Sequence, residues 1–256
     1  MTARLSKERF KAAQAFVEKV GRPLDREVLR HRLAGGPGDG VIAAVRRYQN
    51  FDGGFGHGLE PDIRSPASSA IATSLGLRRL AGAGADATHP AVVGAMRWLG
   101  TSIDEEQGVW PIIGPDVSLG PHAPWWSWSP SLAEAWNGFR FNPTAEILAR
   151  LYAWPDAAPP AALAAAEAGL RRTVAETDLI TGAYDLKCAV RLAEAAGSPA
   201  DLREPLARLV ERSIAAHDPD DPHGSVLDFV RSPASRFAKA AGRGVVEAAI
   251  RRLIAA

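Results

Sequence analysis

The feature that most constrains this chain is YQNFDGGFGHGLEPD, residues 48–62, where a Gln-Asn pair runs into Gly53, Gly54, Gly56 and Gly58 around Phe55. Glycines at this density reverse a chain tightly, because without a Cβ the backbone reaches φ > 0 at little cost. Gly54 and Gly56 are the expected reversal points. Apolar residues at helical spacing flank the stretch on both sides, so it reads as the turn of a helical hairpin. The Gln49 side chain is placed to hydrogen-bond backbone groups of the adjoining turn, and Phe55 to pack back between hairpins.

The pattern recurs. The helix AVVGAMRWLG leads to Gln107-Gly108-Val109-Trp110, again Gln, Gly and an aromatic. LAAAEAGLRRTVAE leads to TGAYD, with Tyr184 two residues after Gly182, and LREPLARLVERSI leads to DDPHGSVLDF. The spacing is uneven but the unit is constant: helix, glycine-containing turn with a buried aromatic, helix. Paired helices that repeat imply hairpins stacked into a solenoid or closed ring.

Between the turns the chain reads as helix throughout. Period-2 alternation with β-branched residues is rare. SKERFKAAQAFVEKV puts Phe10, Ala13, Phe16, Val17 and Val20 on one face. Ser65-Pro66, His89-Pro90 and Asn142-Pro143 each read as a helix start, with proline at or near the first helical position. The expected architecture is all-α over residues 1–256, one domain with N-terminal helices in 1–35 and an irregular Trp/Pro-rich insert at 102–141.

A formal net charge of +1 gives no field for nucleic acid or an anionic surface. Arginine pairs such as Arg78-Arg79 read as solvated helix faces. The one cysteine, Cys188, excludes an internal disulfide and points to a cytoplasmic protein. The first twenty residues lack the unbroken apolar stretch of a signal peptide, and no run reaches the roughly 18 apolar residues of a membrane span. Peripheral membrane contact stays open on this reading.

QNFDGGFG resembles the Gln-Trp repeat of squalene and oxidosqualene cyclases, class II terpene cyclases and protein prenyltransferase β subunits. EEQGVWP is a fair match, and TGAYD and PHGSV are weak ones. The resemblance covers residues 38–230 and implies an α/α toroid, with outer and inner helices around a central cavity. In a ring of hairpins, residues just after each turn converge at one mouth of the cavity. These are His57, Glu60, Asp62 and Arg64 in the first unit, then His122, Trp125, Trp126, Trp128 and Asn142, then Asp185 and Lys187, and finally His223, Asp228 and Arg231. Inner-helix N-termini aimed at that rim favour an anion.

Three chemistries compete. In the first, similar enzymes protonate an alkene or epoxide with a carboxylic acid whose neighbours keep it protonated. Asp62, or the Asp218, Asp220, Asp221 cluster, would supply the acid beside Glu60. His57 and His122 would orient it, Trp125 and Trp126 would wall the cavity, and Arg64 would hold an anionic head group. The run DPDD matches the family's acid motif by spelling, but Pro219 and Pro222 bracket it as an exposed turn. In the second, zinc-dependent prenyl transfer, Asp185 and Cys188 with His217 or His223 are candidate ligands, but their spacing differs from the family's. The third is binding without turnover, or carbohydrate chemistry with paired carboxylates such as Glu60 or Asp62 with Asp185 or Glu146. Trp125, Trp126, Trp128, Trp136, Phe139 and Phe141 suit an isoprenoid, a cation or a sugar face, and equally a flap that closes the ring. The leading expectation is a hydrophobic, isoprenoid-type substrate in a central cavity, with no resident metal or cofactor. Mg²⁺ would enter only with a diphosphate substrate, and a protein partner would complete the cavity if one chain does not.

Overall fold

A computed structural model describes residues 5–131, 140–230 and 232–255. Trp136, Phe139 and Arg231 lie outside the described residues. Among the described residues the fold is all-α, with isolated bridges but no strand. The helices are α1 (Lys7–Val20), α2 (Pro23–Ala34), α3 (Asp39–Arg46), α4 (Ala70–Gly82), α5 (Pro90–Ser102), α6 (Thr144–Ala153), α7 (Pro160–Glu176), α8 (Ala183–Ala193), α9 (Ala200–Ala216), α10 (Val226–Phe229), α11 (Ala238–Ala241) and α12 (Arg243–Ala255). No helix among the described residues is long and apolar enough to cross a membrane.

The helices pack in two rows. α4, α6, α8 and α10 touch in sequence, and α5, α7, α9 and α11 touch in sequence behind them. The turns after α5, α7 and α9 therefore hand the chain from the second row to the first. Burial separates the rows. Residues 144–149 and 151 of α6 are all buried, whereas α5 and α7 bury one stripe each, as amphipathic outer helices do. One apolar cluster runs through both rows from Leu24 to Ala249. The two ends of the chain meet where the Arg9 guanidinium donates to the Ile254 carbonyl.

Local rules explain most boundaries. His89 caps α5 through Nδ1 with Pro90 at the first position, and Asn142-Pro143, a cis bond, leads directly into α6. Three expectations give way to tertiary packing. α4 begins at Ala70 under a Ser69 cap, not at Ser65-Pro66, because residues 62–65 are tied to the insert. There the Asp62 carbonyl accepts from Ala123 and the Arg64 amide donates to Pro121. The apolar face read in α1 is not core: the helix buries no residue, and Phe10, Phe16 and Val20 are exposed. Tyr184, expected as a buried anchor, is 54% exposed.

The insert folds on itself. Two 3₁₀ turns, Pro115–Leu119 and Pro124–Trp126, frame a second apolar cluster of Ile63, Ile112, Ile113 and Val117. Ile71, Trp126 and Trp128 pack against that cluster.

Candidate functional site

The first turn is a clasp built mainly from backbone bonds. Gln49 Nε2 donates to the Gly53 carbonyl (2.9 Å) and across to the Ala91 carbonyl of α5 (2.8 Å). The buried Phe55 amide donates to Thr73 Oγ1 of α4 at 3.0 Å. The left-handed positions are Gly53 (φ 97°), His57 (φ 56°) and Gly58 (φ 81°), not Gly54 and Gly56. Gly54 and Gly56 serve close approach instead, since a Cβ at Gly54 would meet Ser68 at 2.5 Å and one at Gly56 the Ala67 carbonyl at 2.3 Å. His57 tolerates the left-handed region better than a branched residue would. Its Nε2 meets Asn50 Oδ1 at 2.7 Å.

This clasp sets Glu60 and Asp62 beside each other on the segment that enters the insert. Glu60 is half-buried and Asp62 exposed. Burial, with the Asp62 charge second, pushes the Glu60 carboxyl above its ordinary value, against smaller opposing effects from the Asp62 amide and the Arg22 and Arg78 guanidiniums. Arg22 braces the same loop by donating to the Gly58 carbonyl at 2.9 Å. Ile63, next to Asp62, belongs to the cluster against which Trp126 and Trp128 pack, and it bridges to His122. The fold therefore brings Glu60, Asp62, Arg64, His122 and Trp126 into one region. His122 Nδ1 takes the Gly120 carbonyl (2.9 Å), Trp125 is 63% exposed, and Arg64 is exposed.

Asn142 and Asp185 form a separate group. Asp185 Oδ1 accepts from the amides of Phe141 and Asn142, and the Cys188 thiol faces Asn142 Oδ1 at 3.6 Å. Burial pushes the Cys188 thiol far up, so it is a neutral, inert thiol. No group of metal-ligating side chains occurs among the described residues. Lys187 donates to the His223 carbonyl and pairs with Asp228 at 3.2 Å.

The Asp218, Asp220, Asp221 cluster sits in a turn. Asp218 Oδ1 accepts from the Asp220 amide, Asp221 Oδ1 from the His223 amide, and Asp220 pairs with Arg252 at 2.6 Å. A carboxylate held by a guanidinium is an acceptor, and its chemistry is that of a helix-to-loop tie.

Three charged residues of the first row were not singled out together from sequence. Glu146 of α6, 4% exposed, is paired with Arg191 of α8 (2.7 Å) and Arg78 of α4 (3.5 Å). The Arg78-Arg79 pair is thus no solvated face. Arg78 ties α4 to α6, and burial together with the Arg78 charge lowers the Arg79 guanidinium's pKa. A Glu in the first turn of an apolar helix was the available signal, but its partners lie on other helices. No family model, curated protein or solved structure matches this chain.

Proposed function

We propose that this protein is an α/α toroid of the terpenoid cyclase and prenyltransferase type, acting on a hydrophobic, isoprenoid-type molecule by proton donation, with Glu60 as the acid, its pKa raised by burial first and by the Asp62 charge second. The toroid reading draws on the two rows and on the contact between α1 and α12. The observation that carries the chemistry is the Glu60–Asp62 pair: two carboxyl groups two residues apart, one half-buried with its pKa raised, one exposed. An acid and its charged neighbour with environments this different form the usual division of labour in acid-initiated chemistry. The Trp126 and Trp128 rings pack against the cluster that includes Ile63, next in the chain to Asp62, and supply the apolar, cation-tolerant wall that a carbocation requires. Asp62 acting alone and the Asp218–Asp221 cluster are poorer candidates for the donor in this scheme, the first because it is exposed and the second because it is tied up in its turn.

Purified protein incubated with prenyl diphosphates of several lengths and with squalene, with and without Mg²⁺, tests this by gas chromatography–mass spectrometry. The expected result is a cyclised product that Glu60→Gln abolishes and Asp62→Asn reduces. The rate should fall as pH rises through the raised pKa of Glu60, because only the protonated form donates. Wild-type turnover by Glu60→Gln, or no product from any substrate, sinks the proposal. A second reading, binding without turnover, draws on Phe51, fully exposed in the first turn, as an anchor for a protein partner.

A further inference from the structure

Asp185 stands two first-row helices away from Glu60, in the first turn of α8. Both of its amide contacts, at 3.1 and 2.9 Å, fall on Oδ1. Oδ2 lies beside Gly182, where a Cβ would sit 3.2 Å from it, so the glycine leaves that oxygen open. Both residues line a cleft of about 310 Å³, whose walls include Phe141, Leu179, Ile180 and Thr181. That volume is at the lower end for a small-molecule site.

The cations near the cleft have partners other than Asp185. Arg140 pairs with Glu176 at 3.3 Å across its wall, and Arg212 donates to the Asp178 carbonyl. Lys187 is held by Asp228, Arg191 by Glu146, and the Cys188 thiol is neutral. Among the described residues no cation pairs with Asp185. A buried carboxylate with an open oxygen and no counter-charge is a costly group unless something supplies the charge.

We propose that this cleft is a second small-molecule site that takes a primary ammonium compound with a short apolar body, the ammonium bonding Asp185 Oδ2 and the body lying against Phe141, Leu179 and Ile180. The ammonium provides the missing counter-charge, and the apolar wall accounts for the rest of the ligand. Burial, opposed by the two amides, pushes the empty Asp185 carboxyl up to about 6. Below that pH the site holds a proton, which the incoming cation displaces to solvent. Uptake and proton release are therefore coupled.

Benzylamine is a suitable probe, with benzyl alcohol as its neutral counterpart, followed by calorimetry and by the Asp185 carboxyl ¹³C resonance. Benzylamine should bind about tenfold more tightly at pH 7 than at pH 5, the ratio of ionised fractions for a group titrating near 6. It should also move the Asp185 midpoint down, while benzyl alcohol does neither. Asp185→Asn, whose amide oxygen can still accept both backbone bonds, should abolish binding. Gly182→Ala covers Oδ2 while keeping the carboxylate, and should weaken binding at least about tenfold by desolvating the contact; it carries the test if Asp185→Asn fails to fold. Equal binding of benzyl alcohol, an affinity flat in pH, undiminished binding by Gly182→Ala, or no binding at any pH would overturn the proposal. None of these readouts depends on turnover at Glu60.

Discussion

The clasp at residues 49–55 and the one at 107–110 do the same work with partly different atoms. In both, the amide of a buried aromatic donates to a threonine hydroxyl of the following first-row helix at 3.0 Å: Phe55 to Thr73, Trp110 to Thr144. In both, a left-handed glycine presses on a glycine of the next second-row helix, Gly53 on Gly94 and Gly108 on Gly169. The tie back to a second-row helix differs. In the first clasp Gln49 reaches the Ala91 carbonyl of α5, whereas in the second Gln107 is exposed and the Trp110 indole donates to the Leu99 carbonyl of α5 at 3.0 Å. What repeats is a set of backbone positions to be satisfied. The glutamine satisfies a carbonyl in the first turn of the second-row helix that follows its clasp, and the tryptophan one in the last turn of the second-row helix that precedes its own.

The aromatic anchors give the largest test of that equivalence. Phe55 and Trp110 are both fully buried, so Phe55→Ala and Trp110→Ala should each destabilise by about 3–5 kcal/mol in urea unfolding. A difference of more than about 2 kcal/mol between them would show that the clasps are not equivalent. The glycine contacts should split the pair instead. A Cβ at Gly169 would meet the Gln107 carbonyl at 2.6 Å, backbone that cannot step aside, whereas at Gly94 the nearest atom is the far end of a side chain, Gln49 Nε2, at 3.2 Å. Gly169→Ala should therefore lose about 1–3 kcal/mol. Gly94→Ala should come out near neutral, because about 1 kcal/mol of helix propensity offsets the crowding. Equal losses would mean that the second-row helices can shift as rigid bodies.

Next in size are the threonines. Thr73→Val and Thr144→Val keep the shape and strand a buried amide, so each should lose about 1–3 kcal/mol by the same unfolding measurement. If either is silent, water or a shifted carbonyl already serves that amide.

These contrasts also mark what could be read from sequence. Helix positions were legible because their punctuation is local: His89-Pro90, Asn142-Pro143 and the glycine turns act within a few residues. The clasp role of Gln49, Phe55 and Trp110 was legible for the same reason. The threonine bonds were not, because they join residues 18 and 34 positions apart, the second across the insert. The same distance hid the Glu146 triad, where Arg78 looked like a surface residue until α6 and α8 were placed beside it. In the candidate site, Glu60 and Asp62 were two residues apart in sequence, but which one is sheltered depended on the loop that Arg22 braces. For α1 the apolar spacing was real, but the helix packs mainly on α2 and buries no residue, so periodicity alone overstated burial.

The smallest effect bears most directly on what the glutamine contributes. Gln49 Nε2 serves two carbonyls, Gly53 within the turn and Ala91 on α5, and its side chain is half-buried. Gln49→Ala removes both donors, and the loss should be about 1–3 kcal/mol, about 0.5–1.5 for each bond, with faster amide exchange in residues 49–55. Gln107 makes no described side-chain contact of this kind, and its main-chain carbonyl, which accepts from Arg172, survives substitution. Gln107→Ala should change stability by no more than about 0.5 kcal/mol. A larger effect at Gln107 would mean that its side chain has a role that the clasp geometry does not assign. Equal effects at both positions would return the glutamine to the repeat's shared content. The expected inequality leaves the glycine contact and the threonine bond as the parts both clasps require.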